Sequence, residues 1–357
     1  VWELVRKEVA QRERERGRRQ DEEDSPSDEQ AQAQAGDEAA DGGPTVGPAI
    51  WSLLTDWCCL DEDASAGARA SLTVVVDTLT TAVSSARGDV GASARWLATL
   101  SSLCASLRHR RQRYPDTPMH LSSFDQQLRR LLSSTAASVA RTVGVDVLGK
   151  PMVAATLLAD ARVADAAVAQ RVHTGPVVQD VVDGLDELHG HLVRANVPAL
   201  LVREVMTHVL SLLGRQIVNG MMRHAHFCNS GNGFRIKMAI SVLDEYVSRH
   251  EGLRAALTGL DVASEASTLM VIDKSSLTVD TLLRTVTPSL THRQVRTLLL
   301  NYTPEKDLKE LVVPKSLISA LEKARAAAER RTHATERLAF DLSVPQVSLA
   351  FLAGKTE

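Results

Sequence analysis

The chain has 357 residues, of which 44% are hydrophobic and only 3% aromatic, and its formal net charge is −3. This length is enough for the cores of two subdomains, and the many Ala, Leu, Arg and Glu residues favour helices over sheets. The small charge argues against a nucleic-acid-binding protein, and no segment approaches the ~18 consecutive apolar residues that span a membrane.

The four cysteines predict a reduced, cytoplasmic protein. Cys58 and Cys59 are adjacent and cannot readily bridge each other, while Cys104 and Cys228 stand far apart in the sequence. The sequence has no Cys-x-x-Cys pair. We therefore expect buried thiols rather than disulfide bonds or a metal site.

The first 47 residues differ in composition from the rest of the chain. Residues 1–20 carry seven basic and four acidic side chains and predict a charged helix, compatible with the end of a coiled coil. Residues 21–41 carry nine acidic and no basic side chains. We expect 21–47 to be a disordered linker, because it has almost no large apolar residues with which to build a core. The chain begins with Val, which we interpret as the start of a piece of a longer protein.

Residues 48–158 predict a first helical subdomain. Apolar residues recur every three to four positions in its segments, as on one face of a helix. The β-branched residues of segment 72–84 also fit a strand, but their spacing favours a helix. The basic run 108–113 is typical of a solvated helix end, and Gly149 to Pro151 should break the chain. The expected helices are 50–57, 72–84, 95–108 and 123–143.

Residues 159–357 predict a second subdomain, which begins with an irregular loop at 159–175. Thr291 and Gln294 form a capping-box pattern at the start of a helix, and Pro314 suits the first turn of the next one. The expected helices are 177–195, 253–270, 276–287, one from 291 to about 302, and one from 314 to about 331.

The centre of this subdomain is a predicted helical hairpin from Ala199 to Val247. Its first helix has a wide apolar stripe at intervals of four, which predicts burial on more than one side. Two glycines and two asparagines between Cys228 and Gly233 should allow the left-handed backbone angles of a turn. The stripe of the first helix is Leu201, Val205, Val209, Leu213, Ile217 and Met221, and that of the second is Ile236, Ile240, Leu243 and Val247.

The last segment, 338–352, predicts an extended strap. Leu338, Phe340, Leu342 and Val344 alternate with smaller or polar residues, a period of two that suits a segment laid on a surface.

Two segments around the hairpin carry a resemblance: the run from Cys228 to Val247 and the leucine-rich segment from Leu298 to Leu317, which contains Tyr-Thr-Pro. They resemble, the first without a gap, the signature and the Tyr-Thr-Pro segment of the dilute (DIL) domain in the globular tails of class V myosins. The positions that carry the resemblance are Asn219, Cys228, Gly233, Ile236, Lys237, Ser241, Leu243, Glu245, Tyr302, Thr303 and Pro304.

The resemblance implies an all-α fold, an elongated multi-helix bundle of two subdomains with a DIL core at about 180–310. It also implies that the C-terminal strap packs back on the first subdomain. The implied function of this chain is non-catalytic cargo binding. An actin-based motor domain with myosin ATPase activity would lie upstream of it. Cargo adaptors and Rab-family GTPases on vesicles would be the partners, and an upstream coiled coil would make the protein a dimer. No cofactor, nucleic acid or membrane insertion is expected.

The same resemblance implies that the tail can fold back and inhibit its own motor head. Arg223, His224, Arg235 and Lys237 are the candidate contacts for the motor or another partner. The family's tryptophan is Ser230 here and a family basic residue is Ala225, so the autoinhibitory contact is weakened at two positions.

Two local patterns have alternative chemical interpretations. His224, His226 and Cys228 could contribute to a metal site, but no fourth ligand is fixed by spacing, so we favour a polar helix end with Cys228 packed inside. The Ser230–Gly233 run could bind an anion, but it lacks the Lys-Ser/Thr of a phosphate-binding loop. At the level of the protein, a DIL-containing junctional or Ras-effector scaffold and a helical vesicle-tethering subunit remain alternatives.

The composition of the linker leads to a testable prediction. Limited proteolysis should cut first within residues 21–47 and leave a resistant core of ~300 residues, because proteases cut exposed, flexible chain first. Early cleavage within 200–245 would contradict the predicted hairpin, and peptide mass mapping distinguishes the two outcomes.

Overall fold

The computed structural model describes residues 50–52, 54, 66–113, 119–153, 175–304, 312–332 and 338–343. These residues form helices, turns and one extended segment, and no strand occurs among them, which confirms the all-α class. The predictions for 1–20 and 21–47 lie outside the described residues. The predicted loop 159–175 does too, except for Gly175. The helices are α1 Ala66–Ser85, α2 Val90–Arg113, α3 Met119–Arg141, α4 Gly149–Val153, α5 Gly175–Arg194, α6 Ala199–Arg223, α7 Ser230–Arg249, α8 Asp261–Val271, α9 Val279–Thr281, α10 His292–Asn301 and α11 Lys315–Thr332.

Contacts divide the chain into two compact units. The first comprises residues 1–135, 191–198 and 348–357, and the second comprises 136–190 and 199–347. The predicted subdomain boundary at 158 falls in a stretch that is not described, so it stays a prediction.

In the first unit, the Thr- and Val-rich segment is a helix, α1, as its spacing predicted. Leu72, Val75, Leu79 and Val83 are buried along one face. The hydroxyls of Thr78 and two neighbouring threonines donate to carbonyl oxygens four residues earlier, at 2.7–2.9 Å. These bonds satisfy the hydroxyls locally, so the β-branched residues are accommodated within the helix.

A buried carboxylate joins α2 to α3 in the same unit. Asp125 on α3 is only 5% exposed and accepts a hydrogen bond from Arg129 Nε at 2.9 Å. Arg111 Nη1 on α2 donates to the other oxygen at 3.3 Å. The basic run 108–113 therefore forms the last turns of α2, and one of its arginines helps to neutralise a buried charge.

The second unit begins with the end of α3, which passes through a π-helical turn, Thr142–Val147, into α4. The break expected at Gly149 to Pro151 is wrong, because α4 begins at Gly149 and contains Pro151. A side chain at Gly149 would collide with the amide of Gln216 on α6, and that amide donates to the Gly144 oxygen at 2.7 Å. Glycine lets the Gln216 amide lie directly against α4 here, which the sequence could not reveal.

Helix α6 is the most deeply buried element of the second unit. Every residue of its predicted stripe is buried, and Leu212, Val218 and Met222 are buried beside it. The 3₁₀ turn Arg254–Leu260 lies directly against α6, where a continuous helix had been expected from 253. A Cβ atom at Gly259 would lie 2.6 Å from the Ser211 nitrogen, so the two backbones touch.

The helices α10 and α11 begin as the sequence predicted. Thr291 and Gln294 form the capping box of α10, with both reciprocal bonds present. Pro314 immediately precedes α11, and Arg296 on α10 pairs with Glu322 on α11 at 2.7 Å. The expected helix at 276–287 is instead the short α9 followed by a π-helical turn, Leu282–Val286.

Helix α6 makes a stability prediction. Leu213 is fully buried in mid-helix, so Leu213→Ala should lower the free energy of unfolding by ~2–5 kcal/mol through lost contacts and a cavity. The matched control is Leu200→Ala on the same helix, where the side chain is 37% exposed and the loss should stay below ~1 kcal/mol. Urea melts measure both changes, and equal losses would mean that the stripe is not core.

Candidate functional site

The turn between α6 and α7 is built differently from the sequence prediction. Its residues have no left-handed backbone angle, and Gly231 and Gly233 lie inside α7, which begins at Ser230. Asn229 caps this helix by accepting a hydrogen bond from the Asn232 backbone nitrogen at 2.8 Å. The left-handed turn expected from the glycines is therefore wrong, because Asn229 supplies the cap that starts the helix.

Gly233 is required for packing rather than for the turn. A Cβ atom there would lie 2.7 Å from the Met270 Cβ and 2.9 Å from the Val271 Cγ2, both on α8. Three residues later in the signature, Ile236 is fully buried, as is Leu243 two turns further along the helix. The inner face of α7 is thus pressed directly against α8.

Cys228 is an internal structural thiol. It is fully buried, and its Sγ donates to the Met221 carbonyl oxygen at the end of α6, 3.2 Å away. Burial raises the pKa of this thiol to about 12, which keeps it protonated at neutral pH. Its backbone oxygen accepts from the Thr303 nitrogen at 2.7 Å. Cys228 therefore links the hairpin to the Tyr-Thr-Pro segment.

The two histidines of the possible metal pattern do not join Cys228. His224 and His226 are exposed, and their rings pack around Phe227, with the His226 and Phe227 centroids 4.0 Å apart. In the part of the chain that the structure describes, no three His, Cys, Asp or Glu side chains are grouped as metal ligands.

The Tyr-Thr-Pro segment closes on the hairpin through groups that the sequence did not single out. Asn301 Nδ2 donates to the Met222 carbonyl oxygen at 3.1 Å. Lys274, only 3% exposed, donates to the Met270 and Ile272 oxygens at 2.9 and 3.0 Å, and its Nζ lies 3.7 Å from the centre of the Tyr302 ring. The buried ammonium is thus held by two carbonyl oxygens and by the face of the Tyr302 ring. Nothing in the local sequence pattern distinguishes Lys274 from a surface lysine.

Asn219 has a specific role in fixing the strap. The residue is 4% exposed, and its side chain makes two bonds to one backbone unit 121 positions later. Its Oδ1 accepts from the Phe340 nitrogen at 2.8 Å, and its Nδ2 donates to the Phe340 oxygen at 3.1 Å. The amide thereby reproduces the paired bonds that a neighbouring β-strand would offer.

Two more side chains hold the strap. Arg215 Nη1 on α6 donates to the Asp341 oxygen, and Gln294 Nε2 on α10 donates to the Leu338 oxygen, each at 3.1 Å. Over residues 338–343 the hydrogen-bond partners lie on α6 and α10 of the second unit, where the buried Asn219 amide takes a backbone partner. Packing of the strap on the first subdomain, which the resemblance implied for 338–352, stays a prediction for the rest of the segment. Residues 344–352 lie outside the described residues.

The predicted alternation of the strap is confirmed over 338–343. Leu338, Phe340 and Leu342 are partly buried, and the three residues between and after them are exposed.

The outer face of α7 carries the signature residues that point away from the core. Lys237, Ser241 and Glu245 are exposed, and Glu245 pairs with Arg249 at 2.6 Å. Phe234 and Met238 lie one turn apart on this face and are 53% and 61% exposed. The face therefore combines an apolar pair with positive charge at its N-terminal half.

The other candidate contact residues lie at the hairpin turn. Arg223 and His224 are exposed, as is Ala225, which stands where the family has a basic residue. Arg235 is partly buried, and its Nη1 donates to Asn232 Oδ1 at 3.0 Å. Ser230, at the family's tryptophan position, is buried in the first turn of α7.

Comparison with known proteins agrees with this geometry. Residues 204–306, which cover most of α6, all of α7 and the Tyr-Thr-Pro segment, match the family model described as DIL domain. The Myosin-H heavy chain of Dictyostelium discoideum is 27% identical over 124 residues, which are 34% of this chain and 7% of that protein. The chain spans less than a tenth of the length of the curated relatives it matches.

Solved structures extend the similarity over most of the chain. The Myo4p globular tail domain has a TM-score of 0.63 at 15% identity, covering 87% of this chain and 88% of that one. The Myo2-GTD in complex with Inp2 has a TM-score of 0.60 at 13% identity, covering 84% and 75%. The fold is therefore that of a myosin V globular tail, and the resemblance seen in the sequence is confirmed.

The contact between α7 and α8 makes a prediction. Gly233→Ala should destabilise the protein by ~1–3 kcal/mol, because its Cβ would overlap atoms of α8 and the packing must shift. Gly231→Ala, in the same turn but partly exposed, is the control and should cause no loss, since alanine favours helix over glycine. Thermal unfolding of both variants tests whether Gly233 is required for this packing. Equal melting temperatures of the two variants would contradict it.

Proposed function

We propose that this chain, which has a DIL domain set in a myosin V globular-tail fold, is the non-catalytic cargo-binding tail of a class V-like actin-based motor. The observation that carries the proposal is that the DIL match falls on the α6–α7 hairpin, the buried centre of the second unit. The motor ATPase would belong to another part of the full-length protein. The protein would work in the cytoplasm, on actin and at vesicle or organelle surfaces.

The outer face of α7 is our candidate for the adaptor surface. Phe234 and Met238 offer apolar contact area, and Lys237 is exposed beside them with Arg235 at the edge. Such a surface favours a partner with apolar anchors and acidic neighbours, because complementary charge speeds association and fixes orientation. The partner would be a protein adaptor on the cargo, with Rab-family GTPases as the alternative ligand.

Two further properties belong to the proposal by resemblance. Dimerisation would occur through a coiled coil upstream of this chain. Autoinhibition would bring the motor head to Arg223 and His224, which are exposed at the hairpin turn. Ala225 contributes no charge there and Ser230 is buried, so the head contact would be weaker than in the family.

For all described residues, no helix has the length and apolar character of a membrane span. The proposal assigns cargo attachment to proteins on the membrane surface.

Co-sedimentation tests the proposal. A fluorescent fusion of the full chain should sediment with a vesicle fraction from the cells that express it, and protease shaving of the vesicles should remove the binding. Phe234→Ser with Met238→Ser should weaken the binding at least ~10-fold, as expected for central interface anchors. A GTP analogue that strengthens binding relative to GDP would identify a Rab-family partner.

The control variant is Val74→Ser, which removes a comparably exposed apolar residue, 48% exposed, from α1 in the first unit. Its binding should equal that of the unaltered chain. Binding that survives shaving would contradict the adaptor function. Binding that needs vesicle proteins but ignores the double substitution would contradict the choice of the α7 surface.

A further inference from the structure

The strap, over residues 338–343, is bonded to the helices beside it through its backbone groups. Four hydrogen bonds from helix to strap are seen among the described residues, and in each of them the helix contributes a side chain and the strap contributes backbone: Asn219 twice, Arg215 once and Gln294 once. Bonds to backbone groups do not depend on which side chains the bound segment carries. We call these three side chains, with the surface of α6 and α10 between them, the strap groove.

The groove selects an extended backbone. The N–H and C=O of one residue point to the same side only in an extended chain, as in the bonded pair of an antiparallel ladder. Asn219 presents its Oδ1 and Nδ2 to both groups of Phe340, so a helical segment could not satisfy it. An empty groove would leave this buried amide without these partners, which favours occupancy at all times.

The present occupant is held only partly by apolar contact. The apolar residues of the strap are the less exposed set of its alternating pattern: Leu338, Phe340 and Leu342. Each of them is still partly exposed, whereas the stripe residues of α6 are buried. The bound stretch is short, and its ordering opposes the gain from these contacts. Such a segment is suited to exchange.

We infer that the strap groove is a peptide-binding site, filled in cis by residues 338–343, which accepts in trans an extended partner segment with apolar residues at alternate positions. The inference rests on the proposed function in that the natural partner would be a segment of a cargo adaptor. Displacement of the strap by that segment would couple partner binding to release of the C-terminal part of the chain.

Fluorescence anisotropy with a labelled peptide tests the inference. The peptide copies residues 336–345, and the protein is the full chain carrying Leu338→Ser, Phe340→Ser and Leu342→Ser, which weaken the cis occupant. Saturable binding is expected. The unaltered chain should bind at least ~10-fold more weakly, because its tethered strap competes at a high effective concentration.

N-methylated peptides identify the groove without any change in the protein. A methyl group on the nitrogen of Phe340 removes the donor to Asn219 and should weaken binding at least ~10-fold. The same group on the nitrogen of Ala339, which alternates outward, is the matched control and should have a small effect. Equal affinities of the two methylated peptides would overturn the inference.

Hydrogen exchange in the unaltered chain gives a second readout. Excess peptide should accelerate exchange of the Phe340 amide, because the strap leaves Asn219 when the peptide binds. No acceleration together with no saturable binding to the triple variant would overturn the inference. The peptide is the chain's own sequence, so this outcome is independent of whether an adaptor binds at α7.

Discussion

The close backbone contact between α6 and the 3₁₀ turn at Gly259 is the constraint on which the second unit depends. A Cβ atom at Gly214 would lie 3.0 Å from the Gly259 oxygen, and one at Gly259 would lie 2.8 Å from the Thr207 oxygen. No side chain fits between these elements, so the turn must follow the surface of α6. Gly233 allows the same closeness between α7 and α8. Glycines at close backbone contacts therefore set the positions of both α6 and α7. The position of α7 in turn determines where its outer face lies.

Sequence reasoning predicted the hairpin well because a 3.6-residue period repeated over six turns has few alternatives. Every stripe residue of α6 is buried, and the capping box at Thr291 needed only local bonds. It failed where the cause was a distant neighbour. Gly149 and Gly233 were assigned to breaks and turns, although their environment is another helix. The bonds from Asn219 to Phe340 span 121 positions, and no periodicity reports them.

The signature residues divide into two physical groups. The first group fastens the hairpin to its surroundings. Asn219 bonds to the strap, and Cys228 bonds to the segment after α10. Gly233 allows contact with α8, and Tyr302 lies against Lys274. Lys237 and Ser241 do none of this and face solvent. A sequence can therefore resemble the family through the first group, which holds the fold together.

The central claim is that α6 is the fixed element on which the strap and the outer face of α7 depend. Native-state hydrogen exchange of the full chain tests it most directly. Amides from 205 to 219 should exchange only through global unfolding, with protection equal to the free energy of unfolding, while amides of 338–343 should open at lower cost. Local opening of α6 at or below the cost of opening the strap would contradict the account.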